Sequence, residues 1–226
     1  ASPGVKPAAA AADAQIAYYT TLGHAEFEWK TYSHDGPRDL GRRLLAAGFT
    51  PGDAETLLVA PAAGLSTSAV LPRGVELHPV TDAAGVELMV RAHEAAFGDD
   101  GSRLRHGTMA RLAAAPGTFV AVVAVAGGEP VASARMELHP GTGFAGLWGG
   151  GTVASWRGRG VYRALVAHRA RIAVERGYRH VQVDATELSA PILLRLGFTA
   201  LGTTTPYVYR TTPRLAQRGT EPAYRA

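Results

Sequence analysis

Cysteine is absent from the 226 residues. That excludes disulfides and thiolate metal sites, and it leans toward an intracellular, cytoplasmic protein. Lysine is scarce: of 23 basic residues only Lys6 and Lys30 are lysines, a bias that GC-rich coding explains as well as function does. The arginines are dispersed, with no basic block interleaved with aromatics, so nucleic acid is not expected as a partner. Long apolar runs are missing too. The longest, Phe119 to Ala126, cannot span a bilayer and suits a buried strand, so no membrane partner is expected. The first residues lack the charged-then-apolar layout of a signal peptide. His93-Glu94 has no second histidine one helical turn on, and no metal site is expected.

What remains is a chain that can build a core. Hydrophobic residues make up 46% and charged residues 19%, a balance that opposes general disorder. The length fits one large domain or a domain with an appendage. A net charge of +4 suits an anionic ligand.

Patterning divides the chain. Residues 1–14, with their alanine run, read as a flexible lead-in, and 211–226 as a polar tail. Residues 15–60 form a first block, 61–70 a Pro/Gly/Ser-rich linker, and 71–210 the main domain. In that domain Val75–Val80 alternates as a strand. Thr81 or Asp82 then caps a helix that carries Val86, Met89, Val90, His93 and Phe97 and stops at Gly98. A helix over Ser102–Ala114 follows. Strands Thr118–Ala126 and Pro130–Leu138 flank the hairpin signal Gly127-Gly128-Glu129. Phe144–Val153 is a strand, Val161 opens a helix ended by Gly177, and His180–Ala185 is the next strand. Ser189–Leu196 is a short helix closed by Gly197-Phe198, and Leu201–Tyr209 holds the last strand. This order implies a mixed sheet flanked by helices.

Between strand 144–153 and its following helix stands Arg157-Gly158-Arg159-Gly160-Val161-Tyr162. No Gly-Lys-Ser/Thr follows, so it is not a P-loop, and Arg163 stands where a dinucleotide fingerprint needs a small residue. Two readings stay open: a plain tight start to a helix, or backbone N–H groups converging on a pyrophosphate. The stretch resembles the (Arg/Gln)-x-x-Gly-x-(Gly/Ala) motif of the GCN5-related N-acetyltransferase (GNAT) family. The resemblance covers about Val75 to Tyr209, including the element order and Leu194-Arg195-Leu196-Gly197-Phe198. Tyr162 departs from the motif's final small residue.

The resemblance implies an α/β fold with a mixed, splayed sheet, and an acyl-CoA-dependent N-acyltransferase. Acetyl-CoA, or another acyl-CoA, would be the co-substrate, and a small-molecule or peptide amine the acceptor. Gly158, Arg159, Gly160, Val161 and Tyr162, with Arg157, would hold the pyrophosphate. The pantetheine arm would lie between strands 144–153 and 180–185, bonded by the backbone of Thr152, Val153 and Ala154. The N–H near Val153 would serve as oxyanion donor. Gly149-Gly150-Gly151 fits a distorted strand where a ligand approaches closely. Glu137 is the first candidate base, with Asp184, Glu187 and His139 as rivals. The family's usual acid, a tyrosine five residues before the phenylalanine of Gly-Phe, is Leu193 here, so Tyr207, Tyr209 or water is expected to substitute. An acyl-CoA-binding regulatory or structural protein without transfer activity is the alternative reading, and a nucleotide-binding module a further one. Ser33-His34-Asp35 are sequence neighbours and cannot form a triad by adjacency.

The first block reads as strand Phe27–Tyr32, helix Pro37–Ala47 and strand Ala54–Val59. Leu44-Leu45-Ala46-Ala47-Gly48-Phe49-Thr50 matches Leu193-Leu194-Arg195-Leu196-Gly197-Phe198-Thr199 at five of seven positions. This implies a degenerate N-terminal half-lobe of the same acetyltransferase kind, without a glycine turn. It would shape the acceptor site or support a homodimer.

Overall fold

The computed structural model describes residues 8–68 and 70–211, so residues 1–7 of the expected lead-in and 212–226 of the expected tail lie outside it. Along the chain run helix α1 (Ala8–Thr21), strand β1 (Glu26–Tyr32), helix α2 (Leu40–Ala46), and strands β2 (Thr50–Pro51), β3 (Glu55–Pro61) and β4 (Val75–Pro79). Helices α3 (Ala83–Phe97) and α4 (Ser102–Ala114) follow, then strands β5 (Phe119–Ala126), β6 (Glu129–His139) and β7 (Phe144–Thr152). Helix α5 (Val161–Glu175), strand β8 (His180–Ala185), helix α6 (Ala190–Arg195) and strand β9 (Thr199–Arg210) complete it. The chain divides into two compact units, one of residues 1–54 with 203–226, the other of 55–202.

In the first unit β1 runs antiparallel to β9, from Glu26 opposite Arg210 to Tyr32 opposite Thr204, and β2 pairs the same strand. Ala12, Phe27, Leu40, Leu44 and Phe49 are its buried core, with Tyr19, Tyr207 and Tyr209 packed against them. Residues 8–14, expected as flexible lead-in, are the opening turns of α1. The alanine run has the strongest helix propensity of any residue, and Ala12 is fully buried in that core, so packing fixes what propensity favours. Thr211, expected to open the free tail, donates its N–H to the Ala25 carbonyl at 3.0 Å.

The second unit holds six strands in the order β3-β8-β7-β6-β5-β4. All neighbours are antiparallel except β7 and β8, which run parallel. Side chains alternate across the sheet. Phe119, Ala121 and Val123 of β5 pack with Val86, Met89 and Val90 of α3. Met136 and Leu138 of β6 pack on the other face with Val166, Ala170 and Ala173 of α5. Asp82 caps α3, its carboxylate accepting from Gly85 N at 2.8 Å, and Gly98 ends that helix at φ 79°. The front of the expected linker is not free chain: Ala62 and Leu65 are buried in the α5-side core, because their apolar side chains have a sheet face to cover.

Candidate active site

The site begins where two parallel strands part. β7 and β8 pair at Phe144–His180, Ala145–Val181 and Gly146–Gln182, and then diverge. On its other edge, β7 slips register against β6: Arg135 faces Trp148 while Ser133 faces Gly151, so Gly149 and Gly150 together oppose Ala134. This bulge bends β7 away from β8 and opens a wedge between them. Gly149 lies at φ 55°, in the left-handed region.

The glycine run is a site of close approach from both faces. A Cβ on Gly149 would stand 3.0 Å from Nη2 of Arg135. One on Gly150 would stand 2.9 Å from Cε2 of Tyr162 and 3.5 Å from Nη2 of Arg169, and one on Gly151 would overlap the Phe97 ring. Arg169 is fully buried and donates from Nε to Leu165 O at 3.0 Å and from Nη1 to Arg135 O at 2.8 Å. Burial pushes its pKa down to about 10, partly offset by the Tyr162 phenol beside it. Burial also raises the Tyr162 phenol, while Arg169 and a hydrogen bond with Ser189 oppose that rise.

Beyond β7 the chain makes a 3-10 turn over Ala154–Trp156 and reaches the glycines. Gly158 and Gly160 lie at φ 74° and 89°, which only glycine adopts without strain. Gly160 caps the 15-residue α5 with no side-chain acceptor, so the first N–H groups of the helix stay open to an anion. Arg157 is occupied otherwise: its Nε donates to Thr152 O at 3.1 Å and its Nη2 to Ala96 O at 3.0 Å, joining the end of β7 to the end of α3. Arg159 stacks on Trp156 at 4.8 Å. Oγ1 of Thr152 is buried with no hydrogen-bond partner among the described residues.

The sequence model of the Acetyltransferase (GNAT) family matches residues 84–198, just over half of the chain. The chain belongs to that family. Its fold is similar to a GCN5-related N-acetyltransferase from Kribbella flavida, at 22% identity and a TM-score of 0.65, over 96% of this chain and 81% of that one. It is similar also to a GCN5-related N-acetyltransferase from Sphaerobacter thermophilus, at 19% identity and 0.61, over 89% and 66%. A tandem GNAT protein from the clavulanic acid biosynthesis pathway matches at 15% identity and 0.57, over 89% and 69%. At these identities the likeness is one of fold. No curated protein matches in sequence. Family and fold make this chain a GNAT-type acyltransferase with the expected splayed sheet.

Within the GNAT frame the expected site residues fall in different surroundings. Thr152 to Tyr162 are continuous with the open end of the wedge. The Val153 N–H, expected to stabilise an oxyanion, is committed to Val131 O at 3.0 Å, and its carbonyl accepts from Trp156 N at 2.9 Å. That role is withdrawn, because the extra residue in β7 leaves Val153 in register with β6. Glu137 lies across from Gly146, and its half-buried carboxylate pairs with Arg111 of α4 at 3.2 Å. Leu193 is fully buried. Tyr207 and Tyr209 belong to the first unit. The Tyr209 ring stands 5.2 Å from Phe49 and 5.7 Å from Phe27. Tyr207 lines a cavity of about 500 Å³ with Ser33, His34, Asp35 and Arg38. Ser33 and Asp35 serve local backbone, Oγ accepting from Thr203 N and Oδ2 from Tyr32 N, so no triad forms.

Sequence reasoning passed over two features. Arg169 looks like any arginine of an amphipathic helix, and only the bulge shows why it turns inward. His93 reads in sequence as a helix-stripe residue without a zinc partner, yet its Nε2 pairs with Oδ1 of Asp99 at 3.1 Å, and its ring lies 4.7 Å from Phe97, which covers Gly151. The signal was an aspartate just past the helix-ending Gly98. Among the described residues no group of His, Cys, Asp and Glu could hold a metal ion, and no helix is long and apolar enough to cross a membrane.

Proposed function

We propose that the protein transfers an acetyl group from acetyl-CoA to the amine of a small molecule or peptide by direct attack on the thioester. The observation that carries this is the wedge between β7 and β8, which opens toward a turn with two left-handed glycines and an uncapped helix start. The N–H groups of Gly158 to Tyr162 would take the pyrophosphate, with Arg159 adding charge. Arg157 would shape the turn rather than hold phosphate, since both ends of its guanidinium are engaged. The pantetheine arm would enter the wedge past Thr152, whose buried Oγ1 awaits a partner.

A bulge leaves backbone groups outside the ladder. We therefore assign the oxyanion to N–H groups of the Gly149–Gly150 bulge in place of Val153. Glu137 is the proposed base for the acceptor ammonium, and the Asp99-bound His93 is its rival, because a carboxylate can orient an imidazole for proton transfer. The aromatic enclosure of Tyr209 argues against its acting as the acid. Tyr207 belongs to the first unit, where its hydroxyl leaves no room for a side chain at Gly41, and it is assigned no part in the transfer. Residues 15–60 are proposed to be a degenerate half-lobe, a reading supported by the matching helix end at Gly48-Phe49 and by the fold likeness to a tandem GNAT protein.

Thermal-shift measurements with acetyl-CoA, ATP and NAD test the donor. Acetyl-CoA at a hundredfold excess over its dissociation constant should add about 2.7 kcal/mol of stability. Stabilisation by ATP and not by CoA would overturn the proposal. Screening amines for CoA release then identifies the acceptor.

A further inference from the structure

Tyr162 occupies the place where the family motif asks for a small residue, and the structure shows what makes that tolerable. The space is supplied from the strand instead: Gly150 has no side chain, and a Cβ there would meet the Tyr162 ring at 2.9 Å. One edge of the ring therefore lies against the bulge of β7. Its hydroxyl reaches Ser189, which precedes α6 and follows the end of β8. The side chain thus starts on α5, touches one strand of the wedge and ends beyond the other.

We propose that Tyr162 is the catalytic acid that protonates the departing CoA thiolate. The inference rests on the acyl-CoA reading above. As the amine nitrogen bonds to the acyl carbon, the carbon–sulfur bond breaks and its electron pair leaves on sulfur. The Tyr162 hydroxyl gives its proton to that sulfur. The amine nitrogen gives up two protons: the first, lost by the ammonium to the base, passes to solvent, and the second, lost after the nitrogen is acylated, restores the phenolate, so protons balance over the turnover. Neighbouring charges suit both states. Burial keeps the phenol protonated at rest. The fully buried Arg169 guanidinium stands on the same side of Gly150 and stabilises the phenolate once formed. Arg135 adds a second cation at Gly149, and Glu137 is the carboxylate that tempers it. The buried Leu193 cannot supply the proton. Tyr162 does so from the neighbouring helix, with its hydroxyl one helical turn before Leu193.

The test uses free CoA as the probe and needs no acceptor. CoA is bound to the wild-type chain and to Tyr162→Phe, and the ultraviolet absorbance of its thiolate is followed against pH. A hydroxyl that donates to the sulfur stabilises the thiolate, so the bound thiol should ionise about one pH unit lower in the wild type than in Tyr162→Phe. Ser189→Ala should fall between the two. Calorimetry should find CoA affinity within about twofold in all three, with matching circular dichroism. With an amine acceptor, Tyr162→Phe should turn over acetyl-CoA at least tenfold more slowly. The loss should be smaller with p-nitrophenyl acetate, whose leaving group departs without a proton. Identical thiol titrations in wild type and Tyr162→Phe would overturn the assignment while leaving the acyl-CoA reading intact. Failure of wild-type protein to bind CoA at all would overturn both.

Discussion

The two helix ends that match in sequence match in geometry. At the end of α2, Gly48 lies at φ 92°, Phe49 N donates to Leu44 O at 3.0 Å, and Leu44 and Phe49 are buried. At the end of α6, Gly197 lies at φ 102°, Phe198 N donates to Leu193 O at 3.1 Å, and Leu193 and Phe198 are buried. In each, a left-handed glycine reverses the chain so that the following phenylalanine folds back under the helix. The surroundings differ. Phe49 meets an aromatic cluster of Phe27, Trp29 and Tyr209. Phe198 joins an aliphatic core beneath the wedge. The shared motif is an anchor and holds no chemistry of its own. What sets the second unit apart is the glycine bulge and the glycine turn.

The largest effect should come from cutting the anchor. Leu44→Ala and Leu193→Ala each remove a fully buried side chain and should each cost about 2–5 kcal/mol. Urea unfolding can follow each unit separately, since Trp29 lies in the first and Trp148 and Trp156 in the second. Comparable losses would uphold the equivalence of the two ends. A loss below about 1 kcal/mol at either position would break it.

The bulge gives the next effect. Gly150→Ala pushes a methyl group into the Tyr162 ring and should cost about 1–3 kcal/mol. Adding Tyr162→Ala should recover part of that, with a coupling of at least about 0.5 kcal/mol in the double-mutant cycle. Strict additivity would show that the strand glycine does not accommodate the helix tyrosine. A change at Gly48, which has only a tyrosine ring edge nearby at 3.4 Å, has no such partner to relieve it.

The turn comes third. Gly160→Val forces a branched side chain onto a left-handed residue beside the proposed phosphate cradle, and it should weaken CoA binding at least tenfold, about 1.4 kcal/mol. Arg157→Ala should barely change CoA affinity and should lower stability by about 1 kcal/mol, through the lost link from Thr152 to Ala96. Calorimetry and thermal melts separate the two outcomes. Undiminished CoA affinity in a folded Gly160→Val chain would reduce the turn to a helix start.

These contrasts also mark what the sequence could reveal. Elements with strong punctuation were legible to the residue: α4 spans Ser102–Ala114 and β8 spans His180–Ala185, as patterning predicts. The splay was implied by family resemblance and by Gly149-Gly150-Gly151, and not by periodicity. Three things were hidden. α1 carries no amphipathic stripe, so only its docking on Phe27 and Leu44 reveals it as a helix. Arg157 reads as a phosphate ligand in any motif, and its two carbonyl partners lie on distant segments. Arg169 and Tyr162 owe their places to a missing side chain across the sheet, a three-dimensional complementarity with no local signature.

The smallest effect is a difference in acid response between the units. His168 lies half-buried on α5, and burial first, then the guanidinium groups of Arg171 and Arg169, hold its pKa below the ordinary 6.5, with Glu175 opposing them. The unfolded chain therefore takes up a proton near 6.5, while the native chain does so only at lower pH. In that interval the unfolded state binds more protons, so stability is complete above 6.5 and declines as the pH falls below it. Among the described residues of the first unit the shifted carboxylate is that of Asp39, which accepts a hydrogen bond from Arg43 and has a pKa below the ordinary 3.8. Its contribution is present above 3.8 and is lost only as the pH falls through the lower native value. The second unit should thus begin to weaken at milder acidity than the first, and Trp29 should report a later onset than Trp148 and Trp156. His168→Gln removes the titrating ring and should bring the two onsets together. A second-unit onset still near 6.5 in that variant would mean that another group sets it.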